Sequence, residues 1–256
     1  DWPPAAMEPF AGVMDDPVAW AKKCIDEYGA EMMCLQLVSI DPNGLDRSVA
    51  EATEVVQKVA EAVDVPLIVW GCGNDEKDAE VLRQVAEVCE GKSLSIGPVT
   101  EDNYKQVGAA AIAYKHTVIA STPIDINLCK QLNILLADLG VPDEKIVVDP
   151  TTGGLGYGLE YTYSVMERSR MAALTQQDER LQFPMICNLA KEVWKVKEVK
   201  TPEAEDPKLG DGKKRGVAME ATTAMSLLLA GASVLVMRHP EAIAQVRTAL
   251  QDLSSN

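Results

Sequence analysis

The chain is predicted to be one α/β domain over residues 1–256, a (β/α)8 barrel whose first strand lies upstream of the given chain. Three observations lead there. Short apolar, β-branched runs alternate with amphipathic helical stretches along the whole length. The alternation holds seven strand runs but begins with a helix, so its arithmetic points to an eighth strand before Asp1. Opening on Asp rather than Met adds the expectation of a missing N-terminal piece. The competing open, doubly wound sheet lacks its dinucleotide fingerprint: Gly154-Leu155-Gly156 has no third glycine at the needed spacing, and the preceding strand ends Asp149-Pro150.

Each element follows from local chemistry. "DWPPAAMEPF" has three prolines and no periodicity; Asp16-Pro17 then pairs an N-cap acid with a proline at the first helical position, and Val18, Ala21, Cys24, Ile25 and Tyr28 form the apolar stripe. "EMMCLQLVSID" reads as a strand, and Ser48 with Glu51 makes a capping box for a helix that buries Ala52, Val55, Val56 and Val59. "VPLIVWGCGN" is the next strand, with Asp75 expected to cap a helix running to Cys89. "SLSIGPVT" follows, with Thr100 expected to cap a helix to about Tyr114. "TVIAST" leads into a helix with Ile126, Cys129, Leu132, Asn133 and Leu136 on one face. Ile146, Val147 and Val148 form a buried strand, then come a glycine-crowded turn and a helix over about 161–174. "PMICNLA" and "SVLVMRHP" are the last strands, with helices near 217–229 and 241–253. The charged stretch 195–216, with Pro202 and Pro207, reads as a solvated loop on the rim that carries the glycine turn.

Composition removes several function classes. With 24 basic against 39 acidic residues the net charge is −15, which repels phosphate backbones and anionic bilayers, so neither nucleic acid nor membrane is an expected partner. The six cysteines are scattered without a C-x-x-C pair, so no disulfide framework or cysteine-held cluster is signalled, and a reducing cytoplasm fits. No apolar run approaches the length of a membrane span.

A barrel draws its functional residues from the strand C-termini. Here that set is Ser39, Asp41, 71–74, Gly97, Ser121, Thr122, Asp149 with the turn Gly153, Gly154, Leu155, Gly156, Tyr157 and Gly158, then Asn188, Arg238 and His239. Four glycines within six residues are more than a plain turn needs; they let backbone lie flat against a bulky partner, or simply pack the rim. Asp149 could act as a base, though an acid after a strand is more often the anchor of its own loop. His239 is as well placed to cap the last helix as to touch a ligand, and His116, at the opposite barrel end, reads as a surface residue. H-E-x-x-H and G-x-S-x-G are absent, so metal hydrolysis and acyl transfer lack support.

Together "DPTTGGLGYGLEYTYSVMERSR", "DINLCKQLNILL" and "MRHPEAIAQV" resemble the small subunit of the corrinoid iron–sulfur protein of the reductive acetyl-CoA pathway, whose close relative is the delta subunit of the acetyl-CoA decarbonylase/synthase complex. The resemblance covers nearly the whole chain. It implies a barrel paired in a heterodimer with a large subunit that holds the [4Fe–4S] cluster, and a cobamide enclosed between them. In that family the cobalt carries a methyl group from a methyltetrahydrofolate:corrinoid methyltransferase to acetyl-CoA synthase, both transient partners. The corresponding cofactor-binding candidates are Asp149, Gly153, Gly154, Leu155, Gly156, Tyr157, Gly158, Asn188, Arg238 and His239, with no catalytic residue and no metal ligand in this chain.

The sequence is also similar to the pterin-binding methyltransferases, the alternative reading. Asp149 and Asn188 match two polar pterin positions, but the other two fall at Gly71-Cys72 and Ile96-Gly97. A pterin edge left with one or two unmade hydrogen bonds loses ~1–3 kcal/mol for each. The expectation is a barrel with the shape of a pterin site and without its use.

Overall fold

A computed structural model describes residues 2–255. After the short helix α1 (Pro4–Met7) and helix α2 (Pro17–Asp26), the chain alternates: β1 (Met33–Gln36), α3 (Val49–Ala62), β2 (Leu67–Trp70), α4 (Asp75–Val88), β3 (Ser95–Val99), α5 (Tyr104–Tyr114), β4 (Thr117–Ser121), α6 (Ile126–Leu139), β5 (Ile146–Asp149) and α7 (Leu159–Thr175). It continues through β6 (Ile186–Cys187), the short helices α8 (Leu189–Lys195) and α9 (Lys197–Lys200), then α10 (Gly212–Leu229), β7 (Val234–Leu235) and α11 (Pro240–Ser254).

All strand pairs are parallel. β1 to β5 form one sheet in sequence order, β6 pairs with β7, and a bridge between Val148 and Met185 carries the sheet from β5 to β6. This is the barrel the alternation predicts. Its lumen is a small cluster of Ile68, Ile119, Ile186 and Val236, with Cys34, Trp70, Val147 and Val234 packed against it. A larger core of Val, Leu, Ile and Ala fills the layer between strands and helices. Because β2 to β5 are covered on both faces they are mostly buried, as continuous apolar runs of parallel strands should be. β1 and β7, the two ends of the arc, are only half-buried.

Local signals hold where the capping group is free to act. The Asp16 carboxylate accepts from the N–H groups of Val18 and Ala19, and Ser48 with Glu51 forms the full capping box. Two caps move. Thr100 Oγ donates to Asp75 Oδ1 at 2.5 Å, so these two side chains satisfy each other; Asn74 caps α4 instead, and α5 starts after Asn103, whose side chain accepts from Thr100 N–H.

Two further expectations change. The stretch 195–216 is more ordered than a solvated loop: it holds α9, with Val199 buried, and the start of α10, whose Gly216 packs on the Trp194 ring. Arg215 ties it down, donating to the carbonyls of Thr201 at 2.5 Å and Gly210 at 2.9 Å. His116 is not at the surface. Its Nδ1 accepts from Leu94 N–H at 3.0 Å and its Nε2 donates to the Ala86 carbonyl at 2.9 Å, which holds the ring neutral and buried.

Candidate functional site at the barrel rim

The C-terminal rim is built around the end of β5. Asp149 is only 4% exposed. Its Oδ2 accepts from Ser121 Oγ at the end of β4 (2.6 Å) and its Oδ1 from Thr151 N–H (3.1 Å), while burial pushes its carboxyl up to about 6. With both oxygens engaged inside the protein, Asp149 anchors its own loop. Thr151 takes a left-handed conformation, φ 59°, and donates from Oγ1 to the Thr122 carbonyl. From α7, Thr162 donates to the Thr151 carbonyl and accepts from Gly153 N–H, lashing the turn to the helix it precedes.

The glycines of the turn serve different ends. A Cβ on Gly153 would stand 2.6 Å from the carbonyl group of Gly158, so Gly153 is bare because the turn folds onto itself. The Gly154 carbonyl accepts from both Tyr157 N–H and Leu159 N–H, closing a tight hairpin, and Leu155 tucks against the main core. Gly156, at φ +79°, stands at the apex with nothing within 4 Å of its missing side chain. Gly158, at φ +112°, leads into α7. Beside the open apex, Tyr157 is 62% exposed and its hydroxyl donates to Glu198 of α9 at 3.0 Å, which raises the phenol's pKa. The glycine turn and the stretch 195–216 therefore share the rim, as their positions after β5 and β6 predict.

Asn188, at the end of β6, accepts from Gln36 Nε2 of β1 at 3.0 Å, a bond that joins strands remote in sequence. Gln36 escaped the sequence reading; its only signal is a polar residue closing an otherwise apolar strand. After β7, the N–H groups of Arg238 and His239 donate to the buried Glu220 carboxylate of α10 at 2.6 and 3.0 Å. Glu220, also missed, lies mid-helix and gives no local clue. The Arg238 guanidinium sits 3.6 Å from the centre of the Trp2 ring, and burial lowers its pKa to about 10. His239 is fully buried, its Nδ1 capping α11 through Glu241 N–H and its ring stacked on Trp194. The structure thus gathers Asp149 and the turn into one unit, ties Asn188 to Gln36, and places His239 inside.

Gly71 follows the end of β2, whereas Gly97, expected at a strand end, lies in the middle of β3, and both places are filled from within. Asp78 lays its carboxylate over Gly71, accepting from the N–H groups of Cys72 and Gly73, and a Cβ on Gly97 would stand 2.7 Å from the Cβ of Ile119. Among the described residues no group of three or more His, Cys, Asp or Glu could hold a metal ion, and no helix is long and apolar enough to cross a membrane. Several large apolar side chains near the rim are exposed: Val38 and Leu45 after β1, Tyr157 in the glycine turn and Tyr161 in the first turn of α7.

Residues 2–248 match the family model of the CO dehydrogenase/acetyl-CoA synthase delta subunit. The chain is 40% identical to acetyl-CoA decarbonylase/synthase complex subunit delta 2 of Methanosarcina acetivorans, over 97% of this chain and 58% of that protein. It is 40% identical to the corresponding delta subunit of Methanopyrus kandleri, over 97% of this chain and 61% of that one. The chain therefore spans about three-fifths of the length of these relatives. Among solved structures, the dihydropteroate synthase of Xanthomonas albilineans with 4-aminobenzoic acid superposes with a TM-score of 0.66 at 14% identity, covering 96% of this chain and 89% of that one. That of Yersinia pestis, with a pterin–sulfa conjugate, superposes at 0.61 and 14%, covering 93% and 88%. At such identity the likeness establishes the barrel fold alone.

Proposed function

The chain belongs to the CO dehydrogenase/acetyl-CoA synthase delta subunit family, and from that premise we propose that it is the barrel of a methyl-carrier subunit which caps a cobamide held mainly by a larger partner. The carrying observation is the turn at 153–158: its apex, Gly156, presents bare backbone with nothing within 4 Å, next to the exposed ring of Tyr157. Such a cradle fits one face of a large planar macrocycle or its amide arms, because backbone N–H groups can approach where no Cβ stands. When bound, the cobalt would supply the chemistry of accepting and releasing a methyl group. The role of this chain is to cover that face and exclude water while a mobile partner domain gives access in turn to donor and acceptor proteins.

Within this reading Gly156, Tyr157 and Gly158 meet the ring edge, while Asp149, Gly153, Gly154 and Leu155 hold the turn in shape. Asn188 with Gln36 closes the mouth of the barrel, and Arg238 and His239 stiffen the rim after β7. The iron–sulfur cluster belongs to the large partner. Val38, Leu45, Tyr157 and Tyr161 give the rim an apolar face for that subunit, in an interface expected to bury more than about 2,000 Å².

The test is Gly156→Asn in the assembled complex, since Asn tolerates a left-handed backbone and adds bulk at the apex. Weaker corrinoid retention or a shifted visible spectrum, with assembly intact, is the expected result. An unchanged spectrum, retention and methyl-transfer rate would remove the turn from the cofactor. A second reading, a pterin-dependent methyltransferase, is favoured by the buried Asp149 and the rim amide Asn188. Transfer from methyltetrahydrofolate to free corrinoid by this chain without its partner would select that reading.

A further inference from the structure

Tyr157 and Glu198 lie 41 positions apart and meet because the loops after β5 and β6 share the rim. The Tyr157 hydroxyl donates to the Glu198 carboxylate, with both oxygens in reach at 3.0 and 3.2 Å. Glu198 stands between the buried Val196 and Val199, which pin α9 to the core, and Arg215 secures the far end of the segment through the Thr201 carbonyl. Eight basic residues lie between 191 and 215, yet among the described residues the Glu198 carboxylate forms an ion pair with none of them. Lys195 is held by Glu192 and Lys213 by Glu8 and Glu241, while Lys197 and Lys200, one and two positions from Glu198, do not share its helix face. On the other side the stem of the glycine turn is fixed: a Cβ on Gly154 would stand 3.9 Å from the Glu192 carbonyl oxygen and from Val196 Cγ1. The apex is not, since Gly156 has nothing within 4 Å of its missing side chain and the Tyr157 ring is mostly exposed. Among the described residues, the bond to Glu198 is therefore the one side-chain hydrogen bond that ties the apex to the neighbouring loop.

We propose that Glu198 is a positioning residue of the cofactor face: it holds the Tyr157 ring beside the bare backbone of Gly156, so that ring and backbone present one surface to the edge of the macrocycle. The inference rests on the capping reading above and adds to it the residue that sets the geometry of that face. Its physical basis is rotamer freedom. An exposed tyrosine next to a left-handed glycine samples several staggered side-chain wells, and a ligand that needs one of them bears the cost of selecting it. A charge-assisted bond to a carboxylate on a separately anchored helix selects that well before the ligand arrives. Glu198 acts through Tyr157 and touches no ligand itself. Because the turn follows β5 and α9 follows β6, two loops set the face jointly.

The first measurement uses the protein without corrinoid. With tyrosine isotope-labelled at Cζ and the NMR signal assigned through Tyr157→Phe, the Tyr157 phenol should titrate above the usual tyrosine range, because the carboxylate disfavours the phenolate. Glu198→Ala should bring it back down, and an unmoved titration would overturn the contact. The second uses the assembled, corrinoid-loaded complex and reads corrinoid retention on gel filtration together with the visible spectrum. Glu198→Ala and Tyr157→Phe should each speed corrinoid loss by about two- to fivefold, the range of an exposed charged contact, with no further loss in the double variant. Glu198→Gln, which keeps an acceptor oxygen, should restore wild-type retention. Wild-type retention and spectrum in Glu198→Ala, while Gly156→Asn alters them, would remove the positioning role and leave the capping reading standing. If Gly156→Asn also changes nothing, both are overturned. Losses that add in the double variant would show that Glu198 does not act through Tyr157, which likewise overturns the proposal.

Discussion

A Cβ on Gly71 would overlap the carboxylate of Asp78, whose oxygens accept the N–H groups of Cys72 and Gly73 at 2.8 Å each. The end of β2 is therefore closed by the protein's own acid. Gly71→Ala is expected to cost ~1–3 kcal/mol, and Asp78→Ala ~1–2 kcal/mol by removing the acceptor of two part-buried N–H groups. The two changes share one contact, so Gly71→Ala should cost much less in the Asp78→Ala background. A double-mutant cycle by urea unfolding measures this, and simple additivity would contradict it.

Asp149 sets a pH dependence of definite sign. Burial raises its carboxyl from 3.8 to about 6, so the folded protein binds this proton more tightly than the unfolded chain. The contribution is fully present below about pH 4 and is lost as pH rises through about 6. Asp149→Asn removes it and should gain on wild type by ~2–3 kcal/mol between pH 4 and 7. Parallel stability curves for the two proteins across that range would show that Asp149 does not titrate this way.

His116 acts in the opposite sense. Burial lowers its pKa, and Nδ1 must stay unprotonated to accept from Leu94 N–H. Its contribution is present above the unfolded value of ~6.5 and is lost as pH falls through the lower folded value. His116→Gln should flatten the acid limb of the stability curve below about pH 6.5. Ring resonances followed by NMR should show a neutral Nε2–H tautomer at pH 7, and a charged ring there would refute the assignment.

Within the glycine turn, position should decide cost. Gly153→Ala forces the turn open against Gly158 and should destabilise by ~2–4 kcal/mol. Gly156→Ala meets only the left-handed backbone penalty, ~1 kcal/mol. Thermal melts of the two variants rank them, and equal losses would show that the turn relaxes freely.

Much of this protein was legible in its sequence because much of it is decided over three or four residues. Asp16 and Ser48 cap their helices from positions fixed by the covalent chain, and the runs around Ile68, Val118 and Val147 are too short and β-branched for anything but buried parallel strands. Their alternation with helices determined the barrel, and the strand ends determined which residues share its rim. Tertiary structure alone decided what each rim residue faces. Asp78 reaches Gly71, Gln36 reaches Asn188 and Glu220 reaches Arg238 and His239 only after the strands have closed into register, so no local pattern announces them. His116 makes the same point in reverse: its polar ring looks made for water until Leu94 and Ala86 supply both of its hydrogen bonds. Capping and periodicity are local energies that a sequence displays, whereas burial and the pairing of polar groups depend on which distant segments the packed core brings together.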